Sequence, residues 1–220
     1  MKNKLQQIFD LQEEFEHYLN NKVGQIDVPV KAPTHKHVIE AIYYFQCMNI
    51  EFYEFLNSSS KQEMKDELID VLIFAVDVFL FLGVKSKHIT YDLDYYMDKS
   101  KEVTEHIIKD SCYNNTLITA ILGKHKSIAE DFITHTLATL NVVFSKLMYS
   151  SVAYKKWKTY DESVGVVRDI EELDKAMHDV FKVICMLFKV LDADADQVFE
   201  MFCSKRKVNQ DRQVEGYSEV

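Results

Sequence analysis

Two pairs of acids at helical spacing, Glu51-x-x-Glu54 and Glu67-x-x-Asp70, sit in neighbouring segments otherwise rich in aliphatic and aromatic residues. Acids in such company are expensive to leave unpaired. Residues three apart on a helix lie roughly 60° apart around its axis, so each pair aims its oxygens the same way. Four hard oxygen donors from two packed helices suit Mg2+, with Mn2+ as the alternative. No cysteine and no Glu-x-x-His element accompanies them, which argues against a redox di-iron centre. Ions held this way clamp phosphate oxygens and activate water, so phosphate ester or anhydride chemistry is the expectation. On pattern alone, a solvated acidic face or salt-bridged core acids stay open as readings of the same residues. Asp77 lies on the stripe of Asp70, roughly 20° away by the helical period.

The second chemical feature is the segment Lys205-Arg206-Lys207-Val208-Asn209-Gln210-Asp211-Arg212-Gln213-Val214-Glu215-Gly216-Tyr217. Its four basic and two acidic side chains give a local charge of +2 inside a chain of net charge −9. Cationic side chains, amides and a tyrosine suit a polyphosphate; a solvated, disordered terminus is the competing reading. The third is Gln12, which interrupts the apolar stripe Leu5, Ile8, Phe15 and Leu19 of a first helix. A buried amide needs partners, whether as a satisfied core glutamine, a glutamine at a dimer seam or a ligand reader.

The elements that must position these groups are helices. The 220 residues are 47% apolar with only five glycines and two prolines, too little punctuation for many short strands. Helices are expected at about Leu5–Asn21, His35–Leu56, Lys61–Leu82, Arg168–Leu191 and Ala195–Ser204, followed by a polar, mobile tail over 205–220. Ser58-Ser59-Ser60 offers N-cap hydroxyls to the third helix and Gly83 ends it. Residues 84–160 carry further helical patterns, about His88–Ile108, Asn115–Leu122 and Ser127–Ser150, read as an inserted helical cap on a single domain spanning 1–220. The fold class is therefore all-α, a helical bundle with an insertion.

The net charge of −9 argues against general nucleic-acid binding, which needs a basic surface. Cys47, Cys112, Cys185 and Cys203 lack metal-site spacing and read as reduced thiols. The longest apolar run, Val71–Val84, is too short to cross a bilayer and contains Asp77. With no signal-peptide core after Met1, a cytoplasmic location is expected.

Taken together, Glu51-x-x-Glu54 with Glu67-x-x-Asp70 and the terminal Lys-x-Lys-x-Asn-x-x-Arg-Gln-x-x-Gly-Tyr resemble the dimeric all-α dUTPases. These are MazG-like nucleoside triphosphate pyrophosphatases common in bacteriophages. The likeness extends over residues 5–83 and 168–217, including Glu51-Phe52-Tyr53-Glu54-Phe55-Leu56-Asn57. It implies a homodimer that hydrolyses dUTP to dUMP and pyrophosphate with Mg2+, water attacking the α-phosphorus. By the same likeness Glu51, Glu54, Glu67 and Asp70 hold the metal, and Glu51 also orients or deprotonates the water. Lys205, Lys207, Asn209, Arg212 and Tyr217 bind the phosphates, while Gln12, Glu16 and Trp157 meet the base. The chain departs from the family at Glu16, where Asn or Asp is usual, and lacks a Trp-Lys element between Glu54 and Glu67; its one tryptophan, Trp157, either reaches the base from the insertion or packs. Those departures admit dCTP as an alternative or additional substrate.

Two rival classes remain. His125, His135 and His178-Asp179 bring to mind an HD-type phosphohydrolase, but the ordered motif is incomplete. A non-catalytic module capturing a protein partner through 84–160 is the other; it has no need of both the four acids and the cationic terminus. A Walker-type phosphate cradle is excluded, because no G-x-x-x-x-G-K-[ST] loop exists.

Overall fold

A computed structural model describes residues 2–99, 141 and 170–215. Every regular element among them is helical, so the fold is all-α as the composition requires. The helices are α1 (Lys4–Val23), α2 (His35–Asn57), α3 (Lys61–Phe81), α4 (Ile170–Val190) and α5 (Ala195–Glu215), with a 3-10 turn at Ser86–His88. None is long and apolar enough to cross a membrane.

Local chemistry sets the boundaries. Asn3 caps α1 through its side chain, which accepts from the Gln6 N–H, and the Gln6 side chain returns a bond to the Asn3 N–H. Gly24 ends that helix at φ 71°, a left-handed conformation that glycine adopts without penalty. Ser60 caps α3 by accepting from the Glu63 N–H, and the Glu63 carboxylate takes bonds from the Ser59 N–H and hydroxyl. The three-residue turn Ser58–Ser60 is thereby fixed, and α2 and α3 form an antiparallel hairpin.

α3 is the centre of the molecule, packed by α1, α2, α4 and α5. Its second half is buried on nearly every side, from Leu68 and Ile69 through Phe81. A helix apolar all round has no solvent face and must lie inside. Phe9 of α1 and Phe79 of α3 close on Phe181 of α4, their ring centroids 5.9 and 5.8 Å from it. Burying each such ring stabilises the fold by roughly 1.5–3 kcal/mol.

Two boundaries differ from expectation. The helix expected from His88 begins later: Ile89–Asp92 is non-helical and a helical stretch occupies 93–99, started where the Tyr96 N–H bonds the Asp92 carbonyl. At the other end, α5 does not stop at Ser204 but continues to Glu215. Lys205–Glu215 contains no glycine or proline and is rich in strong helix formers. Three contacts hold the extension against the bundle. Lys205 pairs with Asp70 at 2.5 Å, Arg206 Nε donates to the Leu11 carbonyl at 2.5 Å, and Lys22 of α1 donates to the Gln213 carbonyl. The helices expected at 115–122 and 127–150, and most of the proposed cap, fall outside the described residues, although Asn141 is helical.

Candidate active site

The hairpin brings the two acid pairs together. The short turn and the antiparallel packing of α2 on α3 set the last two turns of α2 beside the first turns of α3. Carboxylate oxygens of Glu51, Glu54 and Glu67 all come within 4.8 Å of one another, with Glu54 exposed and the other two half-buried. Glu51 is pushed up to about 7 by burial first, then by the charges of Asp70, Glu54 and Glu67, against the opposing pull of Lys205. Glu67 is raised by the same causes. Three converging carboxylates with hard oxygen donors fit a divalent cation, whose charge would return them to the ionised state. Asp70 stands at the edge of this group, where burial raises it and its bond to Lys205 lowers it.

Beside the acids opens a cleft of about 380 Å3 between α1, α2, α3 and α5. Glu51 and Asp70 line it from one side, Gln12 and Glu16 from another, and Lys205, Asn209, Arg212 and Gln213 from the last helix. Residue 209 follows 205 by four, and 212 and 213 follow 209 by three and four, so the four share one face of α5, aimed at the cleft. Lys207 is about half a turn away on that helix; it is exposed and does not line the cleft. Arg206 instead fastens α5 to α1, its guanidinium 5.6 Å from the centre of the Phe15 ring.

The inner wall is a buried polar network. Gln12, Glu16 and Asp77 are 2%, 2% and 1% exposed. Gln12 Nε2 donates to Asp77 Oδ1 at 2.9 Å, and the Tyr44 hydroxyl donates to Glu16 Oε2 at 3.1 Å. Burial pushes Glu16 up to about 7, partly offset by its bonds to Tyr44 and Gln12. Asp77 is driven well above the carboxylate range by burial and by the neighbouring Glu16, to which it hydrogen-bonds. Asp77 therefore keeps a proton and presents it to Glu16. Aromatic rings frame this wall, with Tyr44 packed on Phe74 at 6.0 Å and on Phe81 at 5.3 Å between centroids.

Of the site residues expected from sequence, the structure gathers Gln12, Glu16, Glu51, Asp70, Lys205, Asn209 and Arg212 around one cleft, with Glu54 and Glu67 beside it. Trp157 and Tyr217 lie outside the described residues. Sequence reasoning placed Asp77 on the stripe of Asp70 but gave it no role, and missed Tyr43, Tyr44 and Cys47. The signal for those three was their periodicity: positions 43, 44, 47 and 51 share one face of α2, the face that carries Glu51.

In comparisons with known proteins, no family model matches the chain, no curated protein matches it and no solved structure matches it.

Proposed function

We propose that the cleft is the active site of a Mg2+-dependent nucleotide pyrophosphohydrolase acting on a pyrimidine deoxynucleoside triphosphate, with dUTP and dCTP the two candidates. The observation that carries this reading is the convergence, in and beside one cleft, of three kinds of group far apart in sequence. They are an acid cluster fit for a divalent cation, a cationic helix face, and a buried amide and carboxyl wall. When bound, the ion supplies positive charge to the phosphate oxygens and acidity to a water.

The chain's own residues do the rest. Glu51, at the meeting point of acid cluster and cleft, orients a water against the α-phosphorus and takes its proton. The water oxygen bonds to that phosphorus as the bond to the α,β-bridging oxygen breaks, releasing pyrophosphate and a nucleoside monophosphate. Glu54, Glu67 and Asp70 complete the metal-facing carboxylates. Lys205 turns from Asp70 to a phosphate oxygen, while Asn209 and Arg212 hold the leaving pyrophosphate from the same helix face. A nucleotide substrate places this chemistry in the cytoplasm.

A homodimer belongs to the same reading. Ile39, Tyr43, Ile50 and Tyr53 form an exposed apolar stripe along α2, with Tyr43 at the cleft mouth, and a second copy of the chain is its proposed cover. A monomer in light scattering at micromolar concentration removes that element.

The deciding assay is pyrophosphate release from dUTP and dCTP with and without Mg2+. Lys205→Ala should lower kcat/KM on the order of 10- to 100-fold, whereas Lys207→Ala should change it by less than about twofold. Equal losses in both variants would mean that the cationic segment acts through net charge and not through the face presented by α5.

A further inference from the structure

The buried wall of the cleft carries information about which base fits there, on the premise that the cleft receives a nucleotide. Its hydrogen-bond donors are already committed within the wall. Tyr44 gives its hydroxyl proton to Glu16 at 3.1 Å. Gln12 gives an amide N–H to Asp77 at 2.9 Å and bonds Glu16 as well. Asp77 gives its proton to Glu16. With the Asp77 proton turned to Glu16, the amide between the two carboxyl groups points its nitrogen at them, as its 2.9 Å bond to Asp77 shows, which leaves its carbonyl oxygen as the uncommitted function. Above about pH 7, where Glu16 is ionised, what the wall can still offer a ligand is therefore acceptors, the Gln12 carbonyl and the Glu16 carboxylate.

Uracil and cytosine differ where they would meet such a wall. Uracil carries a carbonyl oxygen at position 4 and a single N–H at position 3, between two acceptors; cytosine carries a two-proton amine at position 4. Two acceptor oxygens facing the uracil O4 leave lone pairs against lone pairs, whereas the cytosine amine has one proton for each. A site built around hydrogen-bonding groups discriminates strongly against the analogue that cannot use them.

We propose that Gln12 and Glu16 select a pyrimidine bearing an exocyclic amine, cytosine over uracil, and that Asp77 is the positioning residue that fixes the Gln12 amide in the orientation this requires. The inference rests on the nucleotide reading of the cleft and decides only its base. Asp77→Asn supplies an amide that can donate to the Gln12 carbonyl, so Gln12 can reverse and present its N–H pair to a carbonyl at position 4. Glu16→Gln likewise brings donors into the wall.

The test is calorimetric titration of the full chain with dCMP and with dUMP on the alkaline side of the Glu16 titration, above about pH 7, followed by competition of dCTP and dUTP in the pyrophosphate assay. The wild-type chain should bind dCMP at least about tenfold more tightly than dUMP. Asp77→Asn should shrink that ratio at least about fivefold with the far-ultraviolet helix signal retained, an effect that loss of packing alone does not produce. If Asp77→Asn fails to fold, the same change in ratio is required of Glu16→Gln. Equal or tighter binding of dUMP by the wild type, or a ratio indifferent to the folded variants, overturns this inference alone when triphosphate hydrolysis persists. If neither monophosphate binds and neither triphosphate is cleaved, this inference and the nucleotide reading of the cleft fall together.

Discussion

The two groups of acids along α2, α3 and α1 make an instructive pair, because the same side-chain type answers burial in opposite ways. At the outer end of the cleft, Glu51, Glu54 and Glu67 converge within 4.8 Å where water and ions have access. Mutual repulsion joins burial in raising Glu51 and Glu67. At the inner end, Glu16 and Asp77 are almost wholly covered, and their charge is managed by a retained proton, an amide and a phenol. The outer group asks for a cation from solution; the inner group carries its own neutralisation. Accessible, repelling acids are the arrangement of a binding site, and buried, mutually bonded ones are the arrangement of a rigid wall.

The largest expected effect lies at the outer group. Glu51→Gln and Glu67→Gln should each reduce Mg2+-dependent pyrophosphate release on the order of 10^2- to 10^3-fold with the thermal midpoint preserved or raised, since each substitution removes repulsion. Unchanged turnover in both would strip the outer acids of their proposed role and erase the contrast.

Next in size is stabilisation by the ion itself. Mg2+ at about 100 times its dissociation constant should stabilise the folded chain by roughly 2.7 kcal/mol, read as a shift in the denaturation midpoint. Glu67→Gln should abolish most of that shift and Asp77→Asn should leave it intact. A loss in both variants would mean that the two groups act as one electrostatic unit.

The inner group should reveal itself in stability. Asp77→Ala leaves the Gln12 amide without its 2.9 Å acceptor, and a buried donor so orphaned costs roughly 1–3 kcal/mol, measurable by urea denaturation. A cost near zero would show that the wall is looser than its burial implies.

The smallest effect is a pH slope. Between pH 4.5 and about 7 the folded chain holds a proton on Glu16 that the unfolded chain releases, so stability is greatest at the acid end of this window and falls as pH rises through it. With saturating Mg2+ the contribution of the outer acids is suppressed, leaving Glu16 and Asp77 as the most deeply buried carboxyls that contribute to the slope. Glu16→Gln should reduce it; a slope unaltered by that substitution would relocate the titrating group.

Much of this architecture was readable beforehand. The starts of α2 and α3, at His35 and Lys61, and the end of α1 at Gly24 follow from caps, glycine and the hydrophobic period. The end of α5 was not readable, because a run of Lys, Arg, Asn and Gln has the same composition whether it is a solvated tail or a helix held at one face. The choice was made by Arg206 against the Leu11 carbonyl, Lys22 against the Gln213 carbonyl and Lys205 against Asp70, none of which local propensity encodes. The late start after His88 has a similar cause: Asp92 accepts from the Leu5 N–H of α1 as well as from the Leu93 N–H, so a remote helix helps fix where the next one begins.

The sequence alone determined that the chain would be helical, that the acids at 51, 54, 67 and 70 would project from helices in pairs, and that Gln12 would be buried. These are consequences of periodicity and composition, which act over one or two turns. Only the tertiary structure decided that Lys205, Asn209 and Arg212 face those acids while Lys207 does not, that Asp70 is partnered by Lys205, and that Asp77 and Glu16 meet around Gln12. Such meetings join residues far apart in the chain, 65 positions for Gln12 with Asp77 and 135 for Asp70 with Lys205. They depend on how helices cross and rotate about a shared core, and that is set by the packing of α3 against all its neighbours at once.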